Sequence, residues 1–146
     1  MFKYLEGERS QKRVAIVGTP ERAQELGIHW SPFGVIPKKN KPNKRRLILD
    51  LSSPDGHSVN DGVQKKLASL SYMSVIAEVL KKGRGTELAK LDVKHTYRNI
   101  PVHPKDRHLL GMFWEGEMLV DMVLPFWLRS APLLFTAVAD ALQWVM

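Results

Sequence analysis

Residues 90–103 read KLDVKHTYRNIPVH, an apolar segment with one acid that stops abruptly in polar and aromatic residues. In an extended chain side chains alternate, so Leu88, Lys90, Asp92 and Lys94 share one face, while Ala89, Leu91 and Val93 share the other. One face is dry and the other charged. A carboxylate ending such a strand, flanked by lysines and followed by Tyr97, suits a phosphate-handling site. Taken alone, an Asp in this position is most often a helix cap or turn residue, and only the surrounding chain can reverse that reading.

The 146 residues fit one domain or a piece of a larger one, and 44% hydrophobic content is enough to bury a core. No apolar run approaches the roughly 20 residues that span a bilayer, and the opening MFKYLEGERSQKR has no signal-type apolar segment. A soluble intracellular protein with no membrane partner is expected. Cysteine is absent, which removes disulfides and thiolate metal sites. The net charge is +7, and its location is informative. Residues 38–46, KKNKPNKRR, hold Lys38, Lys39, Lys41, Lys44, Arg45 and Arg46 with no acid; the other 16 cations nearly balance the 15 acids. The excess is one patch. It implies a polyanion, nucleic acid first, with a solvated loop and a nuclear-localisation signal as the other readings.

Along the chain, Val14-Ala15-Ile16-Val17-Gly18 reads as a strand, but the residues after it lack the further glycines of a dinucleotide-binding turn. Thr19 as N-cap and Pro20 at the first helical position start a short helix ending near Gly27. WSPFGVIP (30–37) and LILDL (47–51) form a two-stranded ribbon with a cationic tip, turned by Asn40, Pro42 and Asn43. Pro54 to His57 form a loop that continues through Asn60 and Asp61. Ser71 or Ser74 caps a packing helix carrying Val75, Ile76, Val79 and Leu80. Residues 109–114 and 118–123 flank Glu115-Gly116-Glu117 as a hairpin. From Ala131 an apolar helix with a narrow polar stripe reads as buried on nearly all sides. His95, His103 and His108 lack the spacing and companions of a zinc site.

In series, SPFGVIPKK, LDVKHTYRNIPVHP and LPFWLRSAP resemble the fingers and first part of the palm of retroelement reverse transcriptases, closest to the retrotransposon branch. The resemblance covers about residues 28–146. It implies an α+β fold, a partial right-hand polymerase with a fingers ribbon and an incomplete palm sheet. The divisions expected are an N-terminal extension (1–27), a fingers-like region (28–86) and a partial palm (87–146). The activity implied is RNA-directed DNA synthesis on an RNA or DNA template-primer from deoxynucleoside triphosphates, by a two-metal mechanism with Mg²⁺ or Mn²⁺. Asp92 would be the catalytic metal ligand, completed by the main-chain carbonyl of Val93. The backbone N–H groups of His95 and Thr96 would hold the triphosphate, Tyr97 would lie under the sugar, and Lys39 and Arg46 would grip phosphate. By the same resemblance, residues 124–132 pack against nucleotide and template, with Phe126 toward the nucleotide and Arg129 toward a phosphate. Lys38, Lys41, Lys44 and Arg45 would contact the template backbone, and Asp50 would be structural.

The chain departs from the pattern at Trp127, where the family has Gly, and at His95-Thr96, where it has a smaller pair. The family's aromatic-x-Asp-Asp motif is expected after the last helix and is not among the residues up to Met146; the remaining palm, thumb and RNase H-like regions would be either missing or encoded downstream. The isolated chain is therefore expected to be inactive. The alternatives are a non-catalytic remnant that binds nucleic acid through residues 38–46 and an unrelated basic binding protein.

Overall fold

The computed structural model describes residues 2–38, 41–64, 73–88 and 92–145. Its centre is a three-stranded antiparallel sheet in the order β1-β5-β4, made of β1 (Val14–Gly18), β4 (Gly111–Trp114) and β5 (Glu117–Asp121). The hairpin turns on Glu115 and Gly116 alone, with φ of 49° and 86°, and Glu117, expected in the loop, pairs with Trp114 in β5. Both central residues are left-handed, as in the type I′ turn that matches strand twist. β5 is the middle strand, and Met118, Leu119 and Val120 are buried in succession, followed by the buried carboxylate Asp121, so its burial does not alternate. The surprise is β1. Its strand character is readable locally, but its pairing with β5, Val14 opposite Asp121 and Ile16 opposite Leu119, joins the first residues of the chain to the hairpin.

Helix α1 (Phe2–Ser10) buries Leu5 and Glu8 on one face, and α2 (Pro20–Glu25) starts as expected, with Thr19 accepting from the Arg22 N–H. Leu5, Val14, Leu51, Leu110, Met112 and Leu119 form the heart of one core. Residues 29–31 lie along the edge at β4: the Gly111 N–H donates to the His29 carbonyl at 2.9 Å, and the Ser31 N–H donates to the Gly111 carbonyl at 3.0 Å. A Cβ on Gly111 would sit 2.6 Å from that His29 oxygen, so only glycine permits the approach.

The ribbon is present as β2 (Phe33–Lys38) and β3 (Lys41–Leu49), antiparallel from Phe33 opposite Leu49 to Pro37 opposite Arg45. Its turn differs from expectation. Pro42 and Asn43 lie within β3, in the stretch where the register slips before Lys38 meets Lys41, and such an irregularity tolerates proline. Lys39 and Asn40 lie outside the described residues, as do the side chains of Lys38, Lys41, Lys44, Arg45 and Arg46.

Three further expectations are corrected. Asp92 and Val93 are exposed and belong to no strand, because a strand exists through its ladder and no neighbour pairs with them among the described residues; Ala89, Lys90 and Leu91 lie outside those residues. Helix α3 (Met73–Lys82) leaves Ile76 and Leu80 exposed, Leu80 by 76%. It takes in Ser74 rather than being capped by it, and Ser71 lies outside the described residues. Helix α4 (Ala131–Val145) exposes Leu134, Val138 and Leu142 along one stripe. Helical spacing records which residues share a face, not whether a neighbour covers it. No helix among the described residues is long and apolar enough to cross a membrane.

Candidate functional site

The site is built where residues 100–102 run beside residues 122–124. The Val102 N–H donates to the Met122 carbonyl at 2.9 Å and the Leu124 N–H to the Ile100 carbonyl at 2.8 Å, with Pro101 bridged to Val123. This pairing brings the 3₁₀ turn Thr96–Asn99 against the loop that follows β5. Tyr97 sits between two rings, edge-on to Phe126 at 5.3 Å and to Phe135 of α4 at 5.7 Å. Tyr97 and Phe126 are thus brought together. Phe135 joins them without having been singled out in the sequence.

The next residue faces the other way. Arg98 is 5% exposed, and its Nε and Nη2 donate to Glu8 Oε2 at 2.9 and 2.6 Å. Nη2 also pairs with Asp121 Oδ1 at 2.8 Å, off the line of a well-directed hydrogen bond, and Arg13 lies 3.6 Å from Glu8. Two cations and two anions balance in the core. Burial alone favours a neutral Arg98, but Asp121 and Glu8 outweigh it and hold the guanidinium above its ordinary pKa. Burial pushes the Asp121 carboxyl up, with Arg98 working against it. It also pushes the Tyr4 phenol up, helped by the adjacent Glu8. The cluster ties α1, β5 and the 3₁₀ turn together, so Tyr97 is presented from a fixed base. A fixed base is costly to disturb, since removing one partner strands a buried charge.

The loop carrying Phe126 is held from a second side. Ser58 and Asp61 form a reciprocal capping box around the 3₁₀ turn Val59–Asp61, and the Ser58 bonds hold the Asp61 carboxyl below its ordinary value. Within that turn Asn60 is 4% exposed. Its Nδ2 donates to the Trp127 carbonyl and to Ser52 Oγ, both at 2.9 Å, and its Oδ1 accepts from the Arg129 N–H at 2.8 Å. Trp127 is held at φ +76°, a left-handed conformation that costs an L-residue about 1–2 kcal/mol. Arg129 is exposed and reaches the Val63 carbonyl at 3.3 Å. The loop also meets the base of the ribbon: Phe33, Ile48, Pro125, Phe126 and Trp127 line one pocket.

The acid side of the site is differently placed. Asp92 is exposed, and the Val93 carbonyl accepts from the Thr96 N–H at 3.3 Å and the Thr96 hydroxyl at 3.1 Å. Thr96 therefore commits both its donors to the Val93 carbonyl, and His95 reaches this turn through φ +63°. Among the described residues no group of three or more His, Cys, Asp or Glu lies together as metal ligands do. One carboxylate and a doubly engaged carbonyl do not make a two-metal site. Lys39 lies outside the described residues; for Arg46, Lys38, Lys41, Lys44 and Arg45 the structure gives the strand position alone.

Arg98 with its partners Glu8 and Asp121, and the clamping role of Asn60, are what sequence reasoning misses. The capping box Ser58-x-x-Asp61 is a readable signature of the turn that presents Asn60. No local signal links Glu8 to Arg98 across 90 residues.

No protein-family model matches the sequence, and no curated protein does. The fold is similar to solved structures of foamy virus protease-reverse transcriptases. One, in complex with double-stranded DNA, matches with a TM-score of 0.64 at 22% identity, over 93% of this chain and 21% of that one. The native prototype foamy virus protein gives 0.63 at 20% identity, over 95% of this chain and 17% of that one. A selenomethionine-labelled CSH mutant of it gives 0.64 at 20%, over 97% and 17%. The chain thus spans about a fifth of the length of the proteins it matches. Its fold is α+β and reverse transcriptase-like.

Proposed function

We propose that this chain is the fingers and first palm portion of a retroelement reverse transcriptase, the part of an RNA-directed DNA polymerase that holds template and incoming nucleotide. The observation that carries the proposal is the likeness to reverse transcriptase structures over 93% of the chain. Within that fold, the packing of Tyr97 on Phe126 suits an aromatic floor for a nucleotide sugar, and the cationic strand β3 suits a phosphate backbone. Lys39, Arg46 and Arg129 are the phosphate contacts in this reading. Asp92 is its metal ligand, and further carboxylates are needed to hold two ions.

Residues 1–146 by themselves are then a binding module. They are expected to retain template-primer while adding no nucleotide with Mg²⁺ or Mn²⁺. A primer-extension assay on the purified chain checks this. Incorporation that Asp92→Asn abolishes would show that the residues present suffice for catalysis, and would overturn the binding-only reading.

A further inference from the structure

We infer that Trp127 is a stacking platform for an unpaired nucleobase, on the face where the ribbon base meets the loop after β5. This rests on the nucleic-acid-binding reading above and adds a site to it.

Two simple explanations of Trp127 fail. A residue required only to make the turn would be glycine, since the backbone stands at φ +76°. A residue kept for packing would be buried, yet Trp127 is 59% exposed and the adjoining Phe126 45% exposed. The chain therefore carries a large apolar side chain into solvent on a strained backbone. Strain of this kind persists only where the surroundings enforce it, and here they do: the buried Asn60 holds the Trp127 carbonyl and the Arg129 N–H at once. The result is an indole on a rigid mount rather than on a loose loop.

Its surroundings select the ligand. Phe126 supplies a second exposed ring, itself seated on Tyr97. Arg129 places a guanidinium two residues on, and the excess positive charge of the chain lies in the ribbon whose base shares a pocket with Trp127. Aromatic faces beside cations are the elements of single-strand recognition, where rings stack on bases without reading sequence and cations follow the backbone. A duplex hides its base faces, so the platform takes a single-stranded or displaced base.

The test uses labelled oligothymidylate and oligouridylate with the whole chain and its W127G and W127F variants. Trp127→Gly is expected to weaken binding about tenfold, while Trp127→Phe keeps most of the affinity. Thermal stability of W127G should be equal or higher, because glycine relieves the strained φ; loss of affinity is then not loss of fold. The salt dependence of binding should keep its slope in W127G, since the indole carries no charge. Wild-type indole fluorescence should quench on binding, by an amount that W127F reduces. Unchanged affinity in W127G would overturn the inference, and increased affinity would show that the indole obstructs the site. If the wild-type chain binds neither oligonucleotide at low salt, the nucleic-acid reading itself fails, and the stacking site with it.

Discussion

The two halves of residues 92–103 behave differently although they are continuous in sequence. From Arg98 to Val102 the chain is locked by a buried ion cluster and by backbone pairing with residues 122–124. From Asp92 to His95 it is exposed and bound chiefly to itself through Thr96 and Val93. What separates the halves is the presence of a partner. A residue pattern selects a conformation only where another part of the chain completes it.

The contrast is broken most directly by mutating one residue on each side. Arg98→Met leaves Asp121 buried without a cation and Glu8 with Arg13 alone, and is expected to cost ~3–5 kcal/mol in urea unfolding. Asp92→Asn, at an exposed position, is expected to stay within ~0.5 kcal/mol of wild type. Equal costs would show that the acid side is as firmly held as the arginine side. On the loop, Asn60→Ala removes the three hydrogen bonds made by a buried side chain and is expected to cost about 2–3 kcal/mol.

Acid affects the two carboxylates in opposite directions. Asp61 has its pKa lowered by Ser58, so the stability it contributes is present above the ordinary value of 3.8 and is lost as pH falls through its lowered folded value. Asp121 has its pKa raised by burial, so its ionisation in the fold becomes unfavourable as pH rises from 3.8 toward the raised value. Comparing Asp61→Asn with wild type isolates the first effect, because Asp121 is common to both. The difference in melting temperature should shrink between about pH 5 and about pH 2, and a difference independent of pH would remove Asp61 ionisation from the capping box.

The locally coded parts of the fold are legible in the sequence. The Thr19-Pro20 helix start, the Glu115-Gly116 hairpin and the ribbon each follow from residues within one turn or strand pair. What is not legible depends on distance or on occupancy. Pairing of β1 with β5 and the Glu8–Arg98 contact join segments that no local pattern relates. The periodicity of α3 and α4 identifies their apolar faces, but Leu80 and Leu142 show that identifying a face does not supply its cover. At Trp127 the sequence shows a bulky residue where the reverse transcriptase pattern it resembles has glycine; the left-handed backbone and the Asn60 clamp are visible only in three dimensions.

The proposed hold of the basic ribbon on nucleic acid is tested by measuring template-primer affinity against salt concentration. Wild type is expected to show affinity falling linearly with salt on logarithmic axes, and reversing the charge at Lys38, Lys39, Lys41, Lys44, Arg45 and Arg46 is expected to abolish both the affinity and the slope. Binding that keeps its strength and slope in the reversed variant would contradict the proposed hold.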